Sequence, residues 1–210
     1  MLVVTSTVGL LSSILSVGVV GKDVNIKPKQ NYKFGPMDNC QTPYYGIEPL
    51  IPYLSQFSWV WECAGGEGYL ARALSKHILV VESTDILDGQ DFLTWQPDND
   101  SWDCIITNVP FSIKHLFLER AFELGKPFAF ILQDGCLGTA RVQKAIGDKI
   151  EEMGVIYPSA RINFKMPYKG WLGTGAQMVT AWYTWGFGFT GNRFYDASHW
   201  SKAYRAQFEI

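Results

Sequence analysis

From residue 58 onward the chain alternates short apolar runs with stretches in which apolar positions recur every three or four residues. Residues 58–63 read as a strand, followed by a glycine-rich turn and a helix over about 67–75. Residues 77–83 predict a second strand, 91–93 a short third, and 103–107 a fourth. A helix is predicted over 113–124, with Leu116, Phe117, Ala121 and Leu124 facing inward. Beyond it the pattern gives a strand at 128–132, a helix at 139–150, and strands at 154–157 and 179–185. Upstream, Ile47, Leu50, Ile51 and Leu54 fall at helical spacing, but Pro49 and Pro52 make that helix short or kinked. Strand–helix alternation of this kind predicts an α/β fold: an open, mostly parallel sheet with helices on both faces. In such sheets ligands bind outside the carboxyl ends of the strands, where the strand order reverses.

The ends of the chain break the pattern. Residues 1–21 carry no charge and are mostly Val, Leu, Ile, Ser and Gly. Their length and apolarity suit a membrane span or a signal-peptide core. No basic stretch precedes them, and Val, Ser, Thr and Gly outnumber the residues of strong spans. A buried or partner-binding helix fits as well, and the enzyme-like body that follows points to a cytoplasmic protein. Residues 22–36 read as a linker carrying Lys22, Lys27, Lys29 and Lys33, so that 1–36 forms an N-terminal appendage, 37–190 the functional domain and 191–210 a C-terminal tail. The 210 residues, 47% apolar and 18% charged, supply ample core for one domain. A net charge of −2 gives no global electrostatic case for nucleic acid, so any such contact must be local. Cys40, Cys63, Cys104 and Cys136 are widely spaced with no histidine at ligand spacing, which argues against a metal site.

Candidate chemistry concentrates at three strand ends. The predicted fourth strand stops at Asn108-Val109-Pro110-Phe111. Pro110 removes an N–H and holds Val109 extended, so the tip presents a carboxamide, an aimed carbonyl and an aromatic ring. Together they can grip a planar amine-bearing group such as a nucleobase. After the first strand comes Glu62-Cys63-Ala64-Gly65-Gly66-Glu67-Gly68, where glycines let a ligand lie against the backbone. Gly66, Gly68 and Ala71 satisfy a loose dinucleotide fingerprint, with Asp85 downstream. Charge opposes that reading. A pyrophosphate there would sit beside Glu62 and Glu67, and two like charges 4 Å apart cost about 4 kcal/mol near a protein surface. A ligand with cationic character and no phosphate, such as S-adenosylmethionine, suits the carboxylates better. Asp85 can accept both hydroxyls of a ribose, and Asp91, followed by Phe92, can accept from an adenine amine.

These blocks resemble those of class I S-adenosylmethionine-dependent methyltransferases, and within them the small phage-type DNA N6-adenine methyltransferases. The likeness runs through Gln41-Thr42-Pro43, Glu48-Pro49-Leu50, the stretch from Trp61 to Leu70, Thr84-Asp85-Ile86, Asp91-Phe92-Leu93, Asn108 to Ser112, Phe117 to Ala121 and Gly125 to Ala129. Arg161 to Phe164 and Thr180 to Trp182 look like its later blocks, so coverage runs from about Asp38 to Trp185.

The resemblance implies a Rossmann-like class I methyltransferase sheet and S-adenosylmethionine held by Thr42, Pro43, Glu62, Ala64, Gly66, Gly68, Asp85, Asp91 and Phe92. It implies catalysis by Asn108, Val109, Pro110 and Phe111. The Asn108 oxygen and the Val109 carbonyl would accept the two N6 hydrogens, while Phe111 stacks on a base that is single-stranded or flipped out. One departure stands out: Val109 replaces the first proline of the family's Asn-Pro-Pro-Phe/Tyr tetrad. It keeps the carbonyl but weakens preorganisation. His115, Lys165 and Lys169 are further expected substrate contacts, with DNA as the expected partner. Adenine in RNA, a glutamine side chain in a protein, or binding without catalysis are the alternative readings.

Overall fold

A computed structural model describes residues 22–23, 32–35, 38–78, 80–166, 170–171 and 178–208. Residues 1–21 lie outside these, and none of the described helices is long and apolar enough to cross a membrane. Seven strands form the main sheet: β2 (Trp59–Glu62), β3 (Val80–Ser83), β5 (Cys104–Asn108), β6 (Phe128–Gln133), β7 (Met153–Pro158), β10 (Thr180–Trp185) and β11 (Gly191–Tyr195). Their order is β11-β7-β10-β6-β5-β2-β3. β10 runs antiparallel to β6 and β7, with Trp182 opposite both Ile131 and Ile156. The other neighbours pair in parallel. Two small antiparallel pairs lie outside the sheet, β1 (Lys22–Asp23) with β4 (Trp95–Gln96) and β8 (Lys165–Met166) with β9 (Gly170–Trp171).

The central strands carry near-continuous apolar runs, Val60–Trp61, Cys104–Ile106 and Phe128–Leu132, because both faces are covered. Along β5, Cys104 and Ile106 enter one core cluster and Ile105 the other, as a period of two requires. On the first face, α2 (Tyr69–Leu74) sets Leu70, Ala73 and Leu74 beside the 3₁₀ segment Tyr44–Leu50 and the short α1 (Ile51–Leu54) that continues it. On the second, α3 (Lys114–Leu124) buries Phe117, Leu118 and Ala121, and α4 (Ala140–Ile146) adds Val142 and Ile146. Each fully buried Phe or Leu contributes about 1.5–3 kcal/mol. Gly125, at φ 68°, ends α3, and its N–H meets the Ala121 and Phe122 carbonyls.

Three expectations change. The helix predicted over 139–150 stops at Ile146, because Gly147 takes φ 59° and ψ −133° and the chain continues as a 3₁₀ turn. Residues 91–93 form a turn rather than a strand, with the Thr94 and Trp95 N–H groups donating to the Asp91 carbonyl. Residues 191–208 do not trail as a separate tail. β11 extends the sheet beside β7, and α5 (Lys202–Ala206) docks on the first face. The Glu48 carboxylate gathers the Tyr195, Trp200 and Tyr204 donors at 2.9, 2.7 and 2.6 Å, and His199 Nε2 at 2.8 Å.

Candidate active site

The strand order reverses between β2, flanked by β3, and β5 on its other side. A cleft of about 500 Å³ opens there, walled by Cys63, Ala64 and Gly66 after β2, Asp85 after β3, and Asn108 and Pro110 at the end of β5. Its volume lies within the range of small-molecule sites, about 300–1,000 Å³.

The glycine turn is held from both sides. Gly65 N–H donates to the Thr84 carbonyl at 2.9 Å and Gly68 N–H to the Gly65 carbonyl at 2.8 Å. Gly66 sits at φ 51° and donates its N–H to Asp85 Oδ2 at 2.8 Å, while Asp85 Oδ1 accepts from Leu87 N–H at 2.9 Å. A Cβ at Gly66 would clash with the Gln41 amide nitrogen, so Gln41 lies directly over the turn. Gln41 Oε1 in turn accepts from Glu67 N–H at 3.0 Å.

Glu62 lies beneath this turn and outside the cleft wall. Its carboxylate is fully buried and accepts from Thr107 Oγ1 at 2.6 Å, Ala64 N–H at 3.2 Å and Ser83 Oγ at 3.3 Å. Burial pushes the Glu62 carboxyl up to about 7, against the pull of those three donors. It is therefore a strut of the loop. The sequence had suggested a ligand contact.

At the β5 tip, Asn108 Nδ2 donates to the Cys40 carbonyl at 2.8 Å. A carbonyl can only accept, so this bond fixes the amide and turns Oδ1 the other way. That oxygen is buried with no hydrogen-bond partner among the described residues. Pro110 has φ −55° and ψ 114° and lines the cleft, whereas the Val109 side chain is 2% exposed in the second core cluster. Phe111 opens a 3₁₀ turn, its carbonyl accepts from Lys114 Nζ at 3.0 Å, and its half-buried ring is not part of the wall.

Other expected contacts fall elsewhere. Thr42 is buried against Gly46, and Pro43 caps the 3₁₀ segment; the neighbouring Cys40 and Gln41 reach the cleft in their place. Gly68, at φ 76°, caps α2 beside Arg72. His115 sits in the first turn of α3, outside the wall, where burial and then Arg141 push its pKa down. Lys165 Nζ is spent on Glu67 and on the Tyr69 hydroxyl, both at 2.8 Å. Lys169 lies outside the described residues. Asp91 and Phe92 do line the cleft, with Phe92 stacked on Phe117 at 4.7 Å.

Reasoning from local pattern missed Tyr32, Phe34, Asp38 and Asn39, which come from the supposed linker and the residues after it. No periodicity marks them; tertiary folding carries them across the β5 tip. With them the described wall holds three carboxylates, Asp38, Asp85 and Asp91, and no Lys, Arg or His.

Neither a scan against protein-family models nor a search of curated proteins returns a match. Among solved structures, the chain is similar to a candidate RNA methyltransferase, PH1948 from Pyrococcus horikoshii. That likeness has 14% identity and a TM-score of 0.39 over 66% of this chain and 80% of that one. It is also similar to a predicted O-methyltransferase, Atu636 from Agrobacterium tumefaciens, at 13% identity and a TM-score of 0.37 over 72% of each chain. Those overlaps are slight, and the sheet itself is the stronger statement. Parallel strands around a reversal point, one antiparallel strand inserted near the far edge and helices on both faces make this a Rossmann-like α/β fold.

Proposed function

We propose that the protein transfers a methyl group from S-adenosylmethionine to the N6 amine of adenine in DNA. The observation that carries this reading is the Asn108 amide: its nitrogen is committed to the Cys40 carbonyl and its buried oxygen is left without a described partner. A buried unpaired acceptor costs about 1–3 kcal/mol, and an N–H donor entering the cleft removes that cost.

The wall fits the proposed cofactor by its chemistry. Three carboxylates with no described cation in the wall disfavour a phosphorylated ligand and favour one carrying a sulfonium and an ammonium. Ala64 and Gln41, which covers Gly66, face it, Asp85 supplies acceptors for a ribose, and Ile86, Leu87 and Phe92 supply apolar surface for a flat ring. Bound there, S-adenosylmethionine supplies an electrophilic methyl group.

The chain's own part is positioning. Adenine N6 is a poor nucleophile because its lone pair is delocalised into the ring. Asn108 Oδ1 accepts one N6 hydrogen and the Val109 carbonyl the other, which favours a pyramidal nitrogen with its lone pair directed into the cleft. Pro110 keeps the Val109 backbone extended, and burial of the Val109 side chain holds that peptide in place. The buried Glu62 braces the turn from below and reaches β5 through Thr107.

Radiolabelled methyl transfer to DNA, tRNA and protein, with mass spectrometry for N6-methyladenine, tests the reading. Asn108→Ala should abolish transfer while S-adenosylmethionine binding by calorimetry stays within a few-fold. Transfer at the wild-type rate by the variant contradicts the assigned role, and methylation of RNA or glutamine in place of DNA moves the acceptor.

A further inference from the structure

Phe111, the ring the tetrad offers, does not line the cleft. Four other rings do: Tyr32, Phe34, Phe92 and Phe117. Two are committed to the interior, because Phe92 and Phe117 are 2% and 4% exposed and stack on each other. Phe34 is different. It remains 48% exposed, with the Tyr32 ring 6.2 Å away at 56°.

One carboxylate ties down the residue after Phe34. Asp38 Oδ2 accepts from Gly35 N–H at 2.6 Å and from the Ser112 hydroxyl, and Asp38 Oδ1 accepts from Ser112 N–H at 3.0 Å. The residue after Phe34 is thereby tied to the residue after Phe111. Asp38 N–H closes the turn by donating to the Gly35 carbonyl at 3.1 Å. At the other end of the segment, the Tyr32 hydroxyl is buried without a described partner. Tyr32 thus lies in the cleft wall and Asp38 joins that wall to the residues after β5, and Asn108 lines the same wall.

We infer that Phe34 is the platform on which the acceptor's flat heteroaromatic ring stacks, and that Asp38 is the positioning residue that holds it at the mouth of the cleft. An exposed ring in the same wall as a residue with an unsatisfied hydrogen-bond acceptor offers the two things a splayed-out base needs, a face and an edge partner. The inference rests on the acceptor reading above and deepens it, moving the stacking role from the tetrad to a residue far upstream.

The test measures binding apart from catalysis. A fluorescently labelled single-stranded oligonucleotide containing adenine is titrated with the full-length protein, and S-adenosylmethionine affinity is measured separately. Phe34→Ala should weaken oligonucleotide binding by about 5- to 150-fold, the usual span for loss of one base–aromatic stack. Phe34→Trp should retain it, and cofactor affinity should not move. Asp38→Ala should reproduce the Phe34→Ala loss, and the double variant should add little, because both changes remove one contact.

Unchanged oligonucleotide binding in Phe34→Ala overturns the inference alone, as does a loss confined to cofactor binding. Additive losses overturn the positioning role of Asp38. A wild-type protein that binds S-adenosylmethionine but no oligonucleotide sinks the nucleic-acid reading together with this inference. Because Phe34 is surface-exposed, thermal unfolding of its variants should match wild type.

Discussion

Replacing Glu62 by Gln turns the buried strut of the glycine turn into a pH probe. In the folded protein burial raises this carboxyl from an ordinary value of 4.5 to about 7. A group whose folded pKa lies above its unfolded one holds its proton longer in the native state. Its contribution is fully present below pH 4.5 and is lost as pH rises through 7. At about 1.36 kcal/mol per pH unit, that interval corresponds to roughly 3 kcal/mol. Gln keeps the shape, and its carbonyl can accept from Thr107 and Ala64. The Ser83 hydroxyl, now a donor to Glu62 Oε2 at 3.3 Å, can rotate to accept from the new amide. Urea unfolding of wild type and Glu62→Gln across pH 4–8 should therefore diverge. The variant should gain on wild type by about 3 kcal/mol between pH 4.5 and 7, and the gap should then stay level. Other titrating groups cancel in the difference. Parallel stability curves over the whole range would refute the assignment of Glu62 as a buried, proton-retaining carboxyl.

Further outcomes follow from the same geometry. Gly66→Ala forces a side chain into φ 51° and against the Gln41 amide, so the melting temperature and cofactor affinity should both fall; calorimetry showing unaltered affinity would contradict the tight turn. Asp85→Asn removes an acceptor from either Gly66 or Leu87 N–H and from the proposed ribose contact, at about 1.5–3 kcal/mol per charged hydrogen bond. S-adenosylmethionine should bind at least tenfold more weakly, and equal affinity would remove Asp85 from the site. Burial works to raise the Glu48 carboxyl, but the Trp200, Tyr204, His199 and Tyr195 donors outweigh it and hold it below its ordinary value. That stabilisation is present above the unfolded pKa and lost as pH falls through the folded one. Glu48→Gln should accelerate hydrogen exchange over residues 195–208 at neutral pH and lose the acid dependence; exchange identical to wild type would show that Glu48 does not anchor the C-terminal segment.

Some of this was legible locally. The apolar runs that became β2, β5 and β6 could be read directly, because strands buried on both faces are predominantly apolar. Asn108, Gly66 and Asp85 were legible as wall residues for a related reason: each sits at or just after a strand end at or beside the reversal point, whereas Asp91 and Phe92, in the turn before β4, were named from their side-chain chemistry and the family resemblance. Glu62 was misread because a carboxylate beside a glycine turn looks ligand-facing until its three donors are seen. Lys165 was misread because its partner Glu67 lies 98 residues away. The strand at 191–195 was missed because most of its residues are exposed on a sheet edge, so they carry no apolar signature.

The amino-acid order alone determined which segments could be buried, where the backbone had to turn on glycine, and which end of the sheet would carry chemistry. Those are consequences of side-chain polarity and backbone sterics acting over a few residues. Only the folded chain decided that Tyr32, Phe34 and residues 38–41 would join the cleft wall beside the β5 tip, that the Cys40 carbonyl would orient the Asn108 amide, and that the wall would be acidic with no described cation. Such facts depend on contacts between residues dozens of positions apart, which become available only once the sheet is assembled and its helices have closed over both faces.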